Sequence, residues 1–336
     1  MFKLWSWRGV AYVEKPVSRT SRVLKINTQR PKQIVDKGNN TSILNAIQTR
    51  RNTALTVRPS GRAVDFLTPD FIRGCPGRCR LAYCHVNEGL REGPEVSDNV
   101  TEILQAVHRH ATAQPWPRLS NRVDERYYTY DFASATDLAL QYEQLDWSRV
   151  IHFFAEHSRA KGACAISYLH DDLYGYDIAP GKVRIRLSLM PESLRKVLEL
   201  DTPSVTERIA AVPRLMAAGF EVDLNFSPLI CYEGWLDDYA ALFAELTHSL
   251  SSGLREGMRY EANLLSHHPA RHRRNLLDGR IEAESILFNP DLQELIGAGA
   301  PHEMIRYRYE LRRGILREWR QLATDLMPWA RARHVG

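Results

Sequence analysis

Residues 183–230 have the sequence VRIRLSLMPESLRKVLELDTPSVTERIAAVPRLMAAGFEVDLNFSPLI. Two β-rich runs, Val183–Met190 and Glu221–Ile230, enclose a helical pattern at Val205–Ala218. Gly219 stands directly after that pattern, at the C′ position where a residue in the left-handed conformation commonly ends a helix. The stretch therefore predicts a strand, a helix and a second strand that lies parallel to the first.

The same alternation continues on both sides of this unit. Four more candidate strands are Ala63–Pro69, Arg126–Ala133, Ala163–Leu169 and Met258–Ser266. Further helical patterns are Ser97–Ala113, which opens on the N-cap candidate Ser97, Trp147–Ala160, Leu236–Leu250 and Leu311–Leu326. Six strands that alternate with helices predict an α/β fold with a parallel sheet, and functional residues of such folds lie where the strands end.

The composition is that of a globular enzyme. The 336 residues, 44% hydrophobic and 25% charged, allow one large domain or two ordinary ones. No window approaches the roughly 18 apolar residues of a membrane span, and Met1–Arg8 has no apolar segment typical of a signal peptide. Five cysteines, three of them close together, do not make a secreted disulfide framework. We therefore expect a cytoplasmic protein with no membrane partner, and the sequence leaves its oligomeric state open.

The net charge is distributed unevenly along the chain. Residues 1–62 carry 13 lysines and arginines against two acids, a net charge of +11. The remaining residues carry 32 basic and 38 acidic side chains, which sum to −6. A basic arm on a mildly acidic body favours a polyanionic partner, nucleic acid first, although a solvated extension without any partner fits the same pattern.

The run GCPGRCRLAYCH, residues 74–85, holds three cysteines directly after the first candidate strand. Cys75, Cys79 and Cys84 could bind three irons of a 4Fe–4S cluster and leave the fourth iron open to another ligand. A structural zinc site completed by His85, Cys164 or Cys231 is one alternative. Three buried free thiols that only pack are another, although such a loop would be prone to oxidation.

At this loop the chain resembles the radical S-adenosylmethionine superfamily and, within it, the spore photoproduct lyase family. The superfamily pattern is C-x3-C-x2-C, whereas this chain has C-x3-C-x4-C, with Leu81 and Ala82 as the extra residues. The resemblance covers about residues 70–310, and it needs no gap from Lys182 to about Tyr239. Its matching segments are Arg184-Ile185-Arg186-Leu187-Ser188, Arg208-Ile209-Ala210-Ala211, Ala218-Gly219-Phe220, Ser227-Pro228 and Glu233-Gly234-Trp235.

The resemblance implies a partial (βα)6 TIM-like radical SAM barrel, in agreement with the six candidate strands. We expect a basic N-terminal extension at 1–62, the barrel at 63–270 with its cluster loop at 71–85, and a mainly helical C-terminal segment at 271–336. The resemblance also implies a 4Fe–4S cluster on Cys75, Cys79 and Cys84, with S-adenosylmethionine (SAM) as the second cofactor. An external one-electron reductant such as flavodoxin or ferredoxin would start cleavage of SAM to a 5′-deoxyadenosyl radical.

Four residues match positions at which the family contacts its cofactor. Tyr83 would pack on the adenosine or support the radical, or else pack within the loop. Asp137 would accept a hydrogen bond from the ammonium group of SAM, or else cap the next helix. Ser188 would contact polar groups of the cofactor and Ser227 would offer a backbone contact to the adenine edge, or else both are solvated strand ends.

Two residues depart from the family pattern. Ser134 stands where the lyase has the cysteine that donates a hydrogen atom, and its O–H bond is too strong to replace a thiol. His85 stands where the family has a tyrosine, and it would contact substrate, tune the cluster or support a neighbouring ligand. Cys231, and less directly Cys164, are replacement donors that the sequence offers, although a lone cysteine also serves as a small hydrophobic residue.

A candidate nucleic-acid surface lies in the C-terminal part of the chain. Arg271, Arg273 and Arg274 form one basic group, and Arg306, Tyr307 and Arg308 mix cations with an aromatic ring. The resemblance thus implies a radical SAM enzyme that acts on a nucleic-acid base or nucleotide lesion. The alternatives are a radical SAM enzyme with another small-molecule or modified-nucleotide substrate, and a non-catalytic, metal-stabilised nucleic-acid-binding protein.

Overall fold

The computed structural model describes residues 5–7, 10–12, 48–50, 55–59, 65–67, 71–77, 79, 82–84, 94–134, 136–297 and 303–336. The chain divides into two compact units, Met1–Asn40 and Thr41–Gly336. In the first unit, β1 (Trp5–Trp7) and β2 (Val10–Tyr12) form an antiparallel pair. His85 and most of the basic extension lie outside the described residues, so the predictions made for them stay predictions.

The second unit is built on an eight-stranded sheet. Its strands, in spatial order, are β16 (Arg331–Val335), β12 (Arg259–Leu264), β11 (Glu221–Leu229), β10 (Val183–Ser188), β9 (Ala160–Ile166), β8 (Tyr128–Asp131), β5 (Phe66–Leu67) and β4 (Arg58–Pro59). Every neighbouring pair is parallel except β4 and β5. The predicted α/β class and all six predicted strands are confirmed, although the first is shorter than predicted among the described residues.

Side-chain contacts show that this sheet curls. Arg186 on β10 forms an ion pair with Asp131 on β8, two strands to one side, and with Glu261 on β12, two strands to the other side (3.2 Å). Since neighbouring strands lie about 4.8 Å apart, β8 and β12 would be roughly 19 Å apart in a flat sheet. One guanidinium reaches both carboxylates because the sheet closes into a partial barrel around it.

Nine helices are present in the described part of the chain. They are α1 (Val100–Ala113), α2 (Trp147–Glu156), α3 (Glu192–Leu198), α4 (Val205–Ala217), α5 (Trp235–Ser249), α6 (Ser252–Arg255), α7 (Pro269–Leu277), α8 (Ile281–Leu287) and α9 (Tyr309–Leu326). None of them is long and apolar enough to cross a membrane. Apolar side chains of the sheet pack against helices, as where Phe226 of β11 meets Phe243 of α5 and Trp319 of α9, and this burial stabilises the barrel.

The turn from α4 to β11 has the predicted geometry. Gly219 adopts a φ of 94°, its N–H donates to Met216 O (3.0 Å), and Phe220 N–H donates to Leu215 O (3.2 Å). These two hydrogen bonds form a Schellman motif that satisfies carbonyls at the helix end. The predicted start of the first helix at Ser97 was wrong, because Ser97 ends β7 (Glu95–Ser97) and α1 begins at Val100.

The inner face of the barrel carries charged side chains. Arg184 on β10 contacts Asp124 (3.0 Å) and Glu221 of β11 (2.6 Å), and Arg333 on β16 contacts Asp223 of β11 (2.8 Å). Lys161 on β9 also contacts Asp124 (3.0 Å). Three cations and three carboxylates therefore neutralise one another in what we call the ion layer.

The prediction of a mainly helical segment at 271–336 was incomplete. Besides α7, α8 and α9, this segment contains β14 (Gln293–Ile296) and β15 (Met304–Tyr307), which form an antiparallel sheet with β13 (Ser266–His267). It also contains β16, the edge strand of the barrel, which pairs with β12. The sequence RARHV of β16 has no apolar run, and its Arg333 is stabilised by the ion layer and not by a hydrophobic core.

Candidate functional site

The cysteine loop begins after β6 (Ile72–Arg73). This strand belongs to a three-stranded sheet in which β7 lies between β6 and β3 (Gln48–Arg50). Cys75 is buried, whereas Cys79 and Cys84 are partly exposed. The carbonyl of Cys79 accepts hydrogen bonds from the N–H groups of Ala82, Tyr83 and Cys84 at 3.0 to 3.2 Å. This compact turn returns Cys84 to Cys79 despite the four intervening residues, so the extra pair does not separate the thiols.

The three thiols of the cysteine loop lie near one another. The thiol of Cys84 lies in hydrogen-bonding contact with Cys79 and, together with burial, raises the pKa of Cys79. Besides burial, the charge of Cys84 contributes to the raised pKa of Cys75. Three thiolates in one loop are a donor set that fits three irons of a 4Fe–4S cluster and leaves the fourth iron open. A single zinc ion would need a fourth ligand beside them.

Three side chains from distant elements hold the loop in place. Gln141 donates to Gly74 O (3.0 Å), Asn275 on α7 donates to Ala82 O (2.8 Å), and Glu199 Oε1 accepts from the hydroxyl of Tyr83 (2.6 Å). Within the loop, Gly77 N–H donates to the Cys75 sulfur (3.4 Å). Sequence reasoning missed Gln141, Asn275 and Glu199, because amides and acids far along the chain carry no local signal for this contact.

Tyr83 begins a buried chain of hydrogen bonds. Its acceptor, Glu199, is 2% exposed and accepts from Arg208 Nη2 on α4 (2.6 Å). Arg208, which is fully buried, also donates to Ser188 O at the end of β10 (2.9 Å). Burial raises the pKa of Tyr83 well above its ordinary value, so the phenol stays protonated as a donor. The chain connects the cysteine loop with the strand end that carries Ser188.

Asp137 lies beside the cysteine loop. Burial, and then the charge of Asp137, raise the pKa of the Cys75 thiol to about 11. The carboxylate accepts hydrogen bonds from the backbone N–H groups of Leu140 (3.1 Å), Ser167 and Tyr168 (3.3 Å). Burial raises its own pKa to about 6. These bonds tie the turn after β8 to the end of β9. The capping alternative was wrong, because the N-cap of the next helix, α2, is Asp146, and the contact of Asp137 with SAM stays a prediction.

The predicted serines stand near the ends of neighbouring strands. Asn225 on β11 donates to Ser188 Oγ (3.2 Å), and Asn263 on β12 donates to Ser227 Oγ (2.9 Å). Asn225 Oδ1 is buried and has no hydrogen-bond partner within the described ranges. An unsatisfied acceptor at the strand ends is consistent with a polar ligand there, and Asn225 is a further residue that the sequence analysis missed.

Comparison with known proteins agrees with this geometry. A family model described as spore photoproduct lyase matches residues 33–289. The chain belongs to the spore photoproduct lyase family. The lyase of Bacillus subtilis is 25% identical over 193 residues, which are 57% of this chain and 54% of that protein. The alignment thus spans about half the length of this curated relative.

Solved structures of spore photoproduct lyase share the fold. The complex with dinucleoside spore photoproduct superposes with a TM-score of 0.74 at 18% identity, over 91% of this chain and 88% of that one. A double variant with bound AdoMet and dinucleoside spore photoproduct gives a TM-score of 0.69 at 18% identity, over 86% and 82% of the two chains. The predicted family and barrel are therefore confirmed.

The candidate hydrogen donors of this family member have different surroundings. Ser134 is exposed in the turn after β8. Cys231, just past β11, is 5% exposed, and its N–H donates to Tyr307 Oη (2.9 Å). Cys164 is 1% exposed on β9, and its thiol faces Arg184 O (3.9 Å). Burial raises the pKa of both buried thiols, so each carries its hydrogen at neutral pH, and their roles stay predictions.

Only some residues of the predicted nucleic-acid surface are exposed. Arg273 and Arg274 on α7 have side chains 62% and 66% exposed, and Arg308 is exposed too, whereas Arg271 and Arg306 are half-buried. Tyr307 is 2% exposed. Its expected position on a base-stacking surface was wrong, because alternation along β15 directs Tyr307 inward, where it contacts Cys231.

Proposed function

We propose that this chain is a radical SAM enzyme that acts on a base lesion in DNA. The observation that carries the proposal is the cysteine loop: three neighbouring cysteines, held beside the barrel strands by Gln141, Asn275 and Glu199. Cys75, Cys79 and Cys84 would hold a 4Fe–4S cluster. When bound, the reduced cluster supplies the electron that cleaves SAM to a 5′-deoxyadenosyl radical.

Side chains of the protein would position the cofactor and offer polar contacts to it. Tyr83, fixed by Glu199, keeps its ring at the loop, where it can pack on an adenosine. Ser188, Ser227 and the open acceptor of Asn225 line the strand ends where a polar cofactor would lie. The ion layer fills the barrel interior beneath and so excludes water from that side.

The substrate proposal rests on family membership and charge. Related structures hold dinucleoside spore photoproduct, and residues 1–62 of this chain carry a net charge of +11, which suits a DNA backbone. A one-electron donor such as flavodoxin or ferredoxin would serve as the reductant. Because Ser134 cannot replace a thiol, the final hydrogen would come from another group, with Cys231 beside Tyr307 as our candidate.

The test is lesion repair by the reconstituted protein under anaerobic conditions. Dinucleoside spore photoproduct and, separately, ultraviolet-irradiated DNA are supplied with SAM and dithionite, and the lesion and 5′-deoxyadenosine are quantified by liquid chromatography. We expect loss of the lesion to accompany 5′-deoxyadenosine, and Cys231→Ser to slow repair more than it slows cleavage of SAM. Brisk cleavage of SAM with every lesion unchanged would contradict the substrate proposal.

A further inference from the structure

Two histidines and one glutamate converge in the interior of the C-terminal region. His267 lies on β13, His272 on α7 and Glu284 on α8. His267 Nε2 is 3.1 Å from Glu284 Oε1, and His272 Nδ1 contacts the same oxygen. One ligand atom from each residue lies within 4.8 Å of the other two. We call these residues the histidine cluster.

The histidine cluster is enclosed by protein. The side chains of His267, Glu284 and His272 are 0%, 4% and 17% exposed. Burial alone would raise the pKa of Glu284, but hydrogen bonds from His267 and His272 outweigh it and bring the pKa to about 2. The carboxylate is therefore ionised at neutral pH, and a buried anion of this kind requires cationic or hydrogen-bonding partners.

The hydrogen bonds of the protein do not complete this cluster. His267 Nδ1 and Asn275 Oδ1 are buried, and neither has a partner in the described part of the chain. Asn275 is fully buried and donates its amide to Glu284 Oε2 (2.6 Å) as well as to Ala82 O of the cysteine loop (2.8 Å). The unsatisfied oxygen of Asn275, whose amide nitrogen contacts the buried carboxylate, indicates that a component of the site is still to be added.

We propose that His267, His272 and Glu284 bind one divalent cation of the zinc class, at a site separate from the cysteine loop. Two imidazole nitrogens and one carboxylate oxygen are a donor set that zinc and other borderline cations prefer, and they leave a coordination position for water. Such a water would be a donor for Asn275 Oδ1. Asn275 would then connect the metal site to the carbonyl of Ala82, so that the ion braces the cysteine loop from outside.

A second convergent group provides a comparison. Glu143, His170 and Asp172 also lie within 4.8 Å of one another, but the acids are 76% and 65% exposed. Water and counterions solvate those carboxylates, so this group needs no ion. This surface group, with one histidine and two acids, serves as the control. The proposal for the histidine cluster does not rest on the proposed function, because it concerns neither SAM nor the iron–sulfur cluster.

The test removes the cysteine loop as a source of bound metal. The full chain with Cys75→Ala, Cys79→Ala and Cys84→Ala is incubated with zinc, desalted and analysed by mass spectrometry for metals, and cobalt titration then reports the ligands through visible absorption. We expect one equivalent of zinc and the bands of cobalt bound to nitrogen and oxygen. In that background, His272→Ala and Glu284→Gln should lose the metal, whereas His170→Ala should retain it.

Either of two results would overturn the site. The first is a triple-alanine chain that is folded by circular dichroism and keeps no zinc, which would leave only a hydrogen-bonded carboxylate. The second is equal zinc retention by Glu284→Gln and by the triple-alanine parent. Glu284→Gln keeps the shape of the side chain, and measurement of the triple-alanine chain alone leaves the histidine cluster intact, so loss of folding in His272→Ala does not decide the outcome.

Discussion

At the scale of single residues, the contact between Tyr83 and Glu199 best shows how the loop is fixed. Sequence resemblance identified Tyr83 but gave no information on its partner, because Glu199 lies 116 residues along the chain. The burial of both groups makes the hydrogen bond important, since a buried carboxylate that loses a donor keeps its full desolvation cost. The loop geometry therefore depends on a residue that no motif contains.

We expect Tyr83→Phe to lower the free energy of unfolding by about 1–3 kcal/mol, since Glu199 loses a buried donor. Urea denaturation followed by circular dichroism measures the change. Tyr309→Phe is the control, because Tyr309 is 68% exposed and its variant should match the parent. Equal stability of both variants would show that the Tyr83 hydroxyl contributes nothing to the fold.

At the scale of elements, local rules predicted strands and helices well where apolar periodicity was strong. The unit at 183–230 has a capped helix, a glycine at its C′ position and two strands, and each signal agrees with the structure. β16 was missed because it has no apolar run, and its Arg333 forms ion pairs across the barrel, which are long-range contacts. The loop and its cysteines were predicted from a motif, whereas its supports Gln141, Asn275 and Glu199 depend on folding.

The turn after α4 predicts the effect of replacing Gly219 with alanine. A Cβ at Gly219 would lie 2.0 Å from Ile178 O, and the residue has a φ of 94°. We expect Gly219→Ala to destabilise the protein by more than about 2 kcal/mol, since backbone must move and the left-handed conformation is strained. Thermal denaturation measures this loss of stability. Gly253→Ala is the control, because a Cβ at Gly253 would meet no atom within 4 Å. Similar midpoints for the two variants would contradict this account.

At the scale of the whole molecule, the ion layer ties the last strand to the centre of the barrel. Arg184, fully buried, contacts three carboxylates: Asp124, Glu221 and Asp223. We expect Arg184→Met to cost about 3–5 kcal/mol, because it leaves buried charges without their partner. Chemical denaturation measures it against Arg214→Met, whose ion pair with Asp171 is exposed and should matter little. A loss no larger than that of Arg214→Met would exclude a structural role for the layer.

The ion layer also predicts how stability depends on pH. Burial would raise the pKa of Glu221, but Arg184 and Lys161 outweigh it and hold the pKa well below its ordinary value of 4.5. The folded state then binds fewer protons than the unfolded state below pH 4.5, so this contribution is present above that pH and is lost as the pH falls. Urea midpoints between pH 7 and pH 3 should fall less steeply for Glu221→Gln than for the parent, and parallel curves would refute the assignment.

The most direct measurement concerns the cysteine loop itself. After anaerobic reconstitution, we expect about four irons per chain, a broad visible absorbance, and release of 5′-deoxyadenosine when dithionite and SAM are added. Cys79→Ala should lose the absorbance and the product together, whereas Cys164→Ala, outside the loop, should keep both. A colourless protein with stoichiometric zinc on the three loop thiols, or unchanged 5′-deoxyadenosine release by Cys79→Ala, would exclude a catalytic 4Fe–4S cluster on these cysteines.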